Sequence, residues 1–208
     1  MPEDEVKLHG HVRKSFPVLG DERNPMHGEV RPRLGADGGI QEVLINEKKI
    51  SQRIKELSSE ISRDYINKEL LLVGVLNGSI VFLSDLIRQL RANFVLDFIA
   101  VSSYRGTESS GDVTVSMDLR ASAERKDVLL VEDIVDSGST LDCVRKRILA
   151  KNPSSLKVCA LLEKNGAKKI PVNIDYVGFK IPACFVVGYG LDYNGKHRGL
   201  PYIGAIRV

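Results

Sequence analysis

Two short, uninterrupted apolar runs constrain this chain more than any other feature. They are Leu70-Leu71-Leu72-Val73-Gly74-Val75-Leu76 and Val128-Leu129-Leu130-Val131. Runs of this length and branching read as strands buried on both faces, the habit of a parallel sheet. Segments of helical period surround them. Ile50, Ile54, Leu57 and Ile61 recur at spacings of four, three and four and predict an amphipathic helix. Ile80, Leu83, Leu86, Ile87 and Leu90 predict a second, and Leu141, Val144 and Ile148 a third. Phe94 to Ser102 and Leu156 to Leu162 read as further strands, followed by the short pieces Tyr176–Phe179 and Phe185–Val187. Strands alternating with helices predict an α/β domain with a mainly parallel sheet flanked by helices.

The regular pattern begins near Val43. Residues 1 to about 40 hold four of the eight prolines, six of the eighteen glycines and three of the four histidines, with no visible period. They read as an extended or poorly ordered arm, leaving residues 41–208 as the domain. A strand or clasp against a partner subunit is one use for such an arm. His9, His11 and His27 have no supporting ligand cluster, so a metal site there is the weaker reading. The segment from Tyr104 to Ser116 is small and polar and predicts a mobile loop or a wide hairpin.

Composition excludes several classes. With 43% hydrophobic and 27% charged residues, a chain disordered throughout is ruled out. No apolar run approaches the roughly 20 residues of a membrane helix, and the acidic start Met1-Pro2-Glu3-Asp4-Glu5 is no signal peptide. A cytoplasmic protein with no membrane partner is expected. The net charge of +3 suits phosphorylated small molecules and is too weak to imply nucleic-acid binding. Cys143, Cys159 and Cys184 lack CxxC spacing and read as small buried hydrophobes in a reducing compartment. His197 is the only histidine outside the arm, which leaves Ser-His-Asp and Cys-His mechanisms little support.

Ligands of open α/β sheets bind at the C-terminal ends of the strands. One such junction carries unusual chemistry: Val131-Glu132-Asp133-Ile134-Val135-Asp136-Ser137-Gly138-Ser139-Thr140-Leu141. Two adjacent carboxylates end an apolar run, a third follows three residues later, and a hydroxyl-rich loop then opens a helix. Backbone N–H groups of Ser137, Gly138, Ser139 and Thr140 at a helix N-terminus suit a phosphate monoester. Glu132 and Asp133 can accept from vicinal ribose hydroxyls or hold Mg²⁺ bound to them. Asp136 sits between the sugar end and the phosphate end, where a base could exchange a proton. The bland alternative is a solvated surface loop whose hydroxyls merely cap the helix.

This junction resembles the phosphoribosyl-pyrophosphate signature of the type I phosphoribosyltransferases, in particular their hypoxanthine-guanine branch. The resemblance spans roughly residues 42–206. It implies that fold, with a small hood built from the chain ends. It also implies a dimer or tetramer, and transfer of phosphoribose from phosphoribosyl pyrophosphate to a 6-oxopurine. Glu132 and Asp133 would bind ribose, and the loop Ser137, Gly138, Ser139 and Thr140 the 5′-phosphate. Asp136 would work at purine N7. Leu76-Asn77-Gly78-Ser79 resembles the pyrophosphate loop, where a strained peptide offers backbone groups. Asn77 stands where Lys or Arg is usual. Ser103-Tyr104 resembles the start of a flexible closing loop.

Two further matches concern the base. Lys164 matches the lysine that reads the 6-oxo group, since a lysine donates and cannot accept. Without that context it reads as a solvated surface lysine. Phe185-Val186-Val187-Gly188-Tyr189-Gly190-Leu191-Asp192-Tyr193 resembles the purine-binding string. Phe185 would stack on the base, the Val186 backbone would bind its edge, Asp192 would join a second Mg²⁺ site and Arg198 would contact pyrophosphate. Phe185 alone would be read as core. Gly190 to His197 nearly spells a Walker A loop, but His197 lacks the hydroxyl that Mg²⁺ needs. The rival expectations are a non-catalytic regulator of the same fold, and an enzyme of that fold with another base.

Overall fold

The structure, a computed structural model, describes residues 39–103, 113–166 and 169–207. The expected arm lies outside these residues, apart from Gly39 and Ile40. The described elements run β1 (Ile40–Ile45), α1 (Glu47–Asp64), β2 (Leu70–Leu76), α2 (Ile80–Ile87), β3 (Phe94–Ser103), β4 (Val113–Met117), β5 (Asp127–Val135), α3 (Ser139–Leu149), β6 (Ser155–Lys164), β7 (Tyr176–Ile181), β8 (Phe185–Val187) and β9 (Ile203–Ile206).

Six strands form one sheet in the order β4-β3-β2-β5-β6-β7. All neighbours are parallel except β3 and β4. The apolar runs sit at its centre, and successive residues serve opposite faces. Leu70, Leu72, Leu129 and Val131 join a cluster with Ile50, Ile54, Leu57 and Ile61 of α1 and Phe82, Leu83 and Leu86 of α2. Leu71, Val73, Val128 and Leu130 join Leu141, Val144 and Ile148 of α3 on the other face. Burying a Leu or Ile side chain is worth about 1.5–3 kcal/mol, so these two layers supply much of the drive to fold. Asn46 caps α1, its side-chain oxygen accepting from the Lys49 amide at 3.0 Å. Arg53 ties that helix to β7, donating to the Val177 and Gly178 carbonyls at 2.8 and 3.1 Å.

A second, three-stranded antiparallel sheet has the order β1-β9-β8 and forms the small hood. Ile40, Val187, Tyr202 and Ile206 make its core. Among the described residues, regular structure begins at Ile40, earlier than Val43. β1 shows no clean alternation because its pairing with β9 shifts register twice.

Other expectations change as well. Part of the polar segment 104–116 is strand: β4 returns beside β3 as an edge strand, with Val113, Val115 and Met117 half-buried. Ile80 is half exposed, and Leu90 lies past the end of α2 yet still packs, with Val81 and Ile87, against the cluster that buries Phe82, Leu83 and Leu86. Only Cys159 is fully buried; Cys143 and Cys184 are intermediate, and all three are free. No helix among the described residues is long and apolar enough to cross a membrane.

Candidate active site

β5 does not end at its paired acids. It continues through Glu132 and Asp133 to Val135, and both carboxylates are buried. Burial, followed by the neighbouring Asp133 carboxylate, pushes the Glu132 pKa well above the usual carboxylate range. Asp133 is also raised by burial, partly offset by its contact with Glu132, by the Ile134 amide and by the positive charge of Arg198. Glu132 Oε2 has no hydrogen-bond partner. A buried acceptor without a donor is costly, so this edge is suited to receiving a ligand's hydroxyl or a cation.

Register explains the next contact. Val135 of β5 pairs with Glu163 of β6, so the residues just beyond, Asp136 and Lys164, emerge side by side. Lys164 Nζ lies 2.5 Å from Asp136 Oδ2. The lysine side chain is 13% exposed and the aspartate 52%. Lys164 is thus no solvated surface lysine: its stem is buried and its charge is aimed at the strand ends.

Ser137 to Thr140 turn the chain into α3. Gly138 is the N-cap at φ +86°, a left-handed conformation that only glycine adopts without strain. Ser137 Oγ donates to Ser139 Oγ at 3.2 Å, and the Ser137 carbonyl accepts from the Lys169 and Ile170 amides at 3.0 and 3.1 Å. The first-turn amides of α3 have no intrahelical acceptor, as at any helix start, and face an anion favourably.

The loop after β2 lies against this junction. Asn77 is exposed, the Leu76–Asn77 peptide is cis, and buried Ser79 donates its hydroxyl to the Val75 carbonyl at 2.5 Å. Gly78 abuts Asp133 so closely that an added Cβ would sit 1.6 Å from Asp133 Oδ2. The hood loop closes the other side: a Cβ at Gly190 would meet the Gly78 carbonyl oxygen at 2.1 Å. Arg198 braces that hood loop, donating to the Gly190 carbonyl at 2.7 Å and pairing with Asp192 at 2.7 Å. Asp192 also accepts from the Gly195 amide at 2.8 Å.

Phe185 is 40% exposed and meets Tyr193 edge-on, with centroids 5.5 Å apart and planes at 81°. It is therefore not core. Val186, its neighbour, is buried in β8. Ser103 ends β3 opposite Val113; Tyr104 lies outside the described residues. No group of three or more His, Cys, Asp or Glu among the described residues forms a metal cluster. Glu132, Asp133 and Asp192 thus form no all-protein cage.

Residues 41–194 match the family described as the phosphoribosyl transferase domain. This chain belongs to that family. A hypoxanthine-guanine phosphoribosyltransferase of Dictyostelium discoideum is 46% identical over 172 residues, covering 80% of this chain and 96% of that protein. One from Staphylococcus aureus is 44% identical over 169 residues, covering 81% and 94%. A crystal structure of a Staphylococcus aureus hypoxanthine phosphoribosyltransferase superposes with a TM-score of 0.77 at 44% identity, covering 81% of this chain and 92% of that one. The six-stranded sheet with its hood is the type I phosphoribosyltransferase fold.

Two features of this phosphoribosyltransferase escape a reading of the sequence alone. Tyr189 on the hood loop donates its hydroxyl to Asp85 of α2, the helix that follows the Asn77–Ser79 loop. Gly190 packs on Gly78. Gly188 and Gly190 belong to the purine-binding string of the sequence; in the fold Gly188 packs on the Tyr202 carbonyl within the hood and Gly190 on the Gly78 carbonyl of the loop after β2.

Proposed function

We propose that this chain transfers the 5-phosphoribosyl group from phosphoribosyl pyrophosphate to hypoxanthine or guanine, giving IMP or GMP and pyrophosphate. The observation that carries the reading is the Lys164–Asp136 pair at 2.5 Å on adjacent strand ends. A 6-oxopurine presents O6 and N7 as neighbours on one edge. Lys164 donates to O6, and Asp136 accepts from or gives a proton to N7. Adenine offers an amino group where Lys164 needs an acceptor. The same function is named for the relatives described above.

The positions of the remaining site residues support the rest of this reading. Phe185 offers an exposed ring for the purine to stack on, and the Val186 backbone meets the base edge. The amides and hydroxyls of Ser137, Gly138, Ser139 and Thr140 hold the 5′-phosphate at the α3 N-terminus. Glu132 and Asp133 take the ribose hydroxyls. The loop Leu76, Asn77 and Gly78, with Arg198, receives pyrophosphate through backbone groups and one guanidinium. Asp136 holds or takes the N7 proton as N9 attacks C1, a role worth about 10²–10⁴-fold. Ser103 and Tyr104 begin a loop whose closure would exclude water.

The orphaned Glu132 Oε2 and its buried neighbour Asp133 fit Mg²⁺, which keeps water or substrate oxygens among its ligands and needs only one or two carboxylates. Glu132 and Asp133 would hold it on the ribose side and Asp192 on the pyrophosphate side. When bound, it supplies positive charge to the departing pyrophosphate. Purine salvage in the cytoplasm by a homodimer or homotetramer completes the reading, with residues 1–40 as an arm outside the catalytic domain.

A spectrophotometric assay tests it, with Mg²⁺, phosphoribosyl pyrophosphate and one of hypoxanthine, guanine, xanthine or adenine. Nucleotide formation with the first two and not adenine is expected. Binding of the sugar pyrophosphate without turnover on any base would overturn the reading in favour of a regulator.

A further inference from the structure

A basic cleft opens between α1 and the turn that follows α2, away from the strand ends that carry the candidate site. Its volume is about 650 Å³, within the size of small-molecule sites. Lys55, Ser58, Ser62, Arg63, Arg88 and Arg91 line it, and no Asp or Glu does. Arg88 is paired with Asp85. Lys55, Arg63 and Arg91 are exposed and have no carboxylate partner among the described residues. Three cations without a carboxylate partner among the described residues line this one recess and favour an anion there.

The recess is also built. Ser62 Oγ accepts from the Arg91 amide at 2.9 Å and donates to the Ser58 carbonyl at 2.5 Å, which fixes the 88–91 turn against α1. Ser58 is 2% exposed, and its hydroxyl has no hydrogen-bond partner. This unmet buried hydroxyl belongs to a residue that lines the cleft, an observation independent of the charges. Leu90 is the only apolar residue lining the cleft and no aromatic ring does, so nothing there stacks a base.

We propose that this cleft binds an oligophosphate anion, recognised by Lys55, Arg63 and Arg91 through charge-assisted hydrogen bonds. The anion is either free inorganic phosphate chains or the phosphate tail of a nucleotide. The site is separate from the strand-end site, and its binding does not depend on the reaction proposed there.

The test titrates the full chain with inorganic triphosphate and, separately, with a nucleoside triphosphate, by calorimetry and hydrogen exchange. Expected are amide protection over residues 55–63 and 88–91, affinity that falls steeply with NaCl, and loss of affinity by roughly tenfold or more in the Arg63→Ala/Arg91→Ala variant. Arg91→Glu should abolish the protection. Both variants should keep wild-type turnover, which reports that they fold. Equal affinity for the two ligands would mean that the cleft reads phosphate alone; tighter nucleotide binding would mean that it also touches the nucleoside. Unchanged binding in both variants, or protection confined to the strand-end loops, would overturn the proposal.

Discussion

Asp136 and Lys164, 28 residues apart in the chain, form an ion pair at 2.5 Å because β5 and β6 are parallel neighbours in register at Val135 and Glu163. The pair gathers a proton acceptor and a cationic donor at one point on the strand ends. Neither group alone distinguishes a purine from any other anion-tolerant ligand. Side by side, they suit a 6-oxopurine edge on which O6 accepts from the lysine and a protonated N7 donates to the aspartate.

Asp136→Asn keeps the shape and removes the proton-accepting charge. kcat should fall by about 10²–10⁴-fold, with KM for the sugar pyrophosphate little changed. Steady-state kinetics on hypoxanthine measure it. Near-normal turnover would remove Asp136 from the mechanism.

Lys164→Ala removes the proposed donor to O6. KM for hypoxanthine and guanine should rise by roughly 10–100-fold, because one charge-assisted hydrogen bond is worth about 1.5–3 kcal/mol. Discrimination against adenine should shrink in the same experiment. If base affinity and discrimination were unchanged, the base pocket would lie elsewhere.

Glu132 makes stability depend on pH. Its pKa in the folded chain is raised above the ordinary 4.5 of the unfolded one, first by burial and then by Asp133. Between those two values the folded state holds more protons than the unfolded, so stability is full at or below the unfolded value and declines as pH rises past it. Glu132→Gln relieves that cost. Without Mg²⁺ or substrate, Tm at pH 8 should rise, by about 2–4 °C for each kcal/mol relieved, while Tm at pH 4 stays the same. Scanning calorimetry of both proteins at the two pH values decides it, and equal Tm at pH 8 would refute the assignment.

Asn77 is exposed in the loop where the resemblance to the type I phosphoribosyltransferases implies Lys or Arg. Asn77→Lys adds one positive charge beside the proposed pyrophosphate position. KM for phosphoribosyl pyrophosphate should fall severalfold, with a larger gain at low salt. Kinetics at two NaCl concentrations test this; a KM insensitive to the substitution would place the loop's binding entirely on its backbone.

Gly190→Ala drives a Cβ toward the Gly78 carbonyl at a residue with φ of +101°. The hood loop must lift from the Asn77–Ser79 loop. KM for the sugar pyrophosphate should rise more than Tm falls, since the strained contact lies at the site and not in the core. A variant that unfolds without any change in KM would make Gly190 purely structural.

Much of the fold was legible because its signals are local. Leu70–Leu76 and Val128–Val131 are continuously apolar since both faces of the central strands are covered, and α1 shows its period since one face is. β1 and β4 were obscured for the opposite reason: β1 is bulged, and β4 is a half-exposed edge. Phe185 shows the same limit. An aromatic residue in an apolar string reads as core, yet its position at the start of β8 leaves the ring open.

The sequence by itself determined the parallel core and the chemistry at the end of β5. Apolar runs, helical periods and a string of acids and hydroxyls around Gly138 are written in consecutive residues. Tertiary structure alone decided which of those groups meet. Strand register brought Lys164 to Asp136, close backbone packing set Gly78 between Asp133 and Gly190, and burial raised Glu132. Each depends on neighbours distant in the chain, whose distances and desolvation no local pattern encodes.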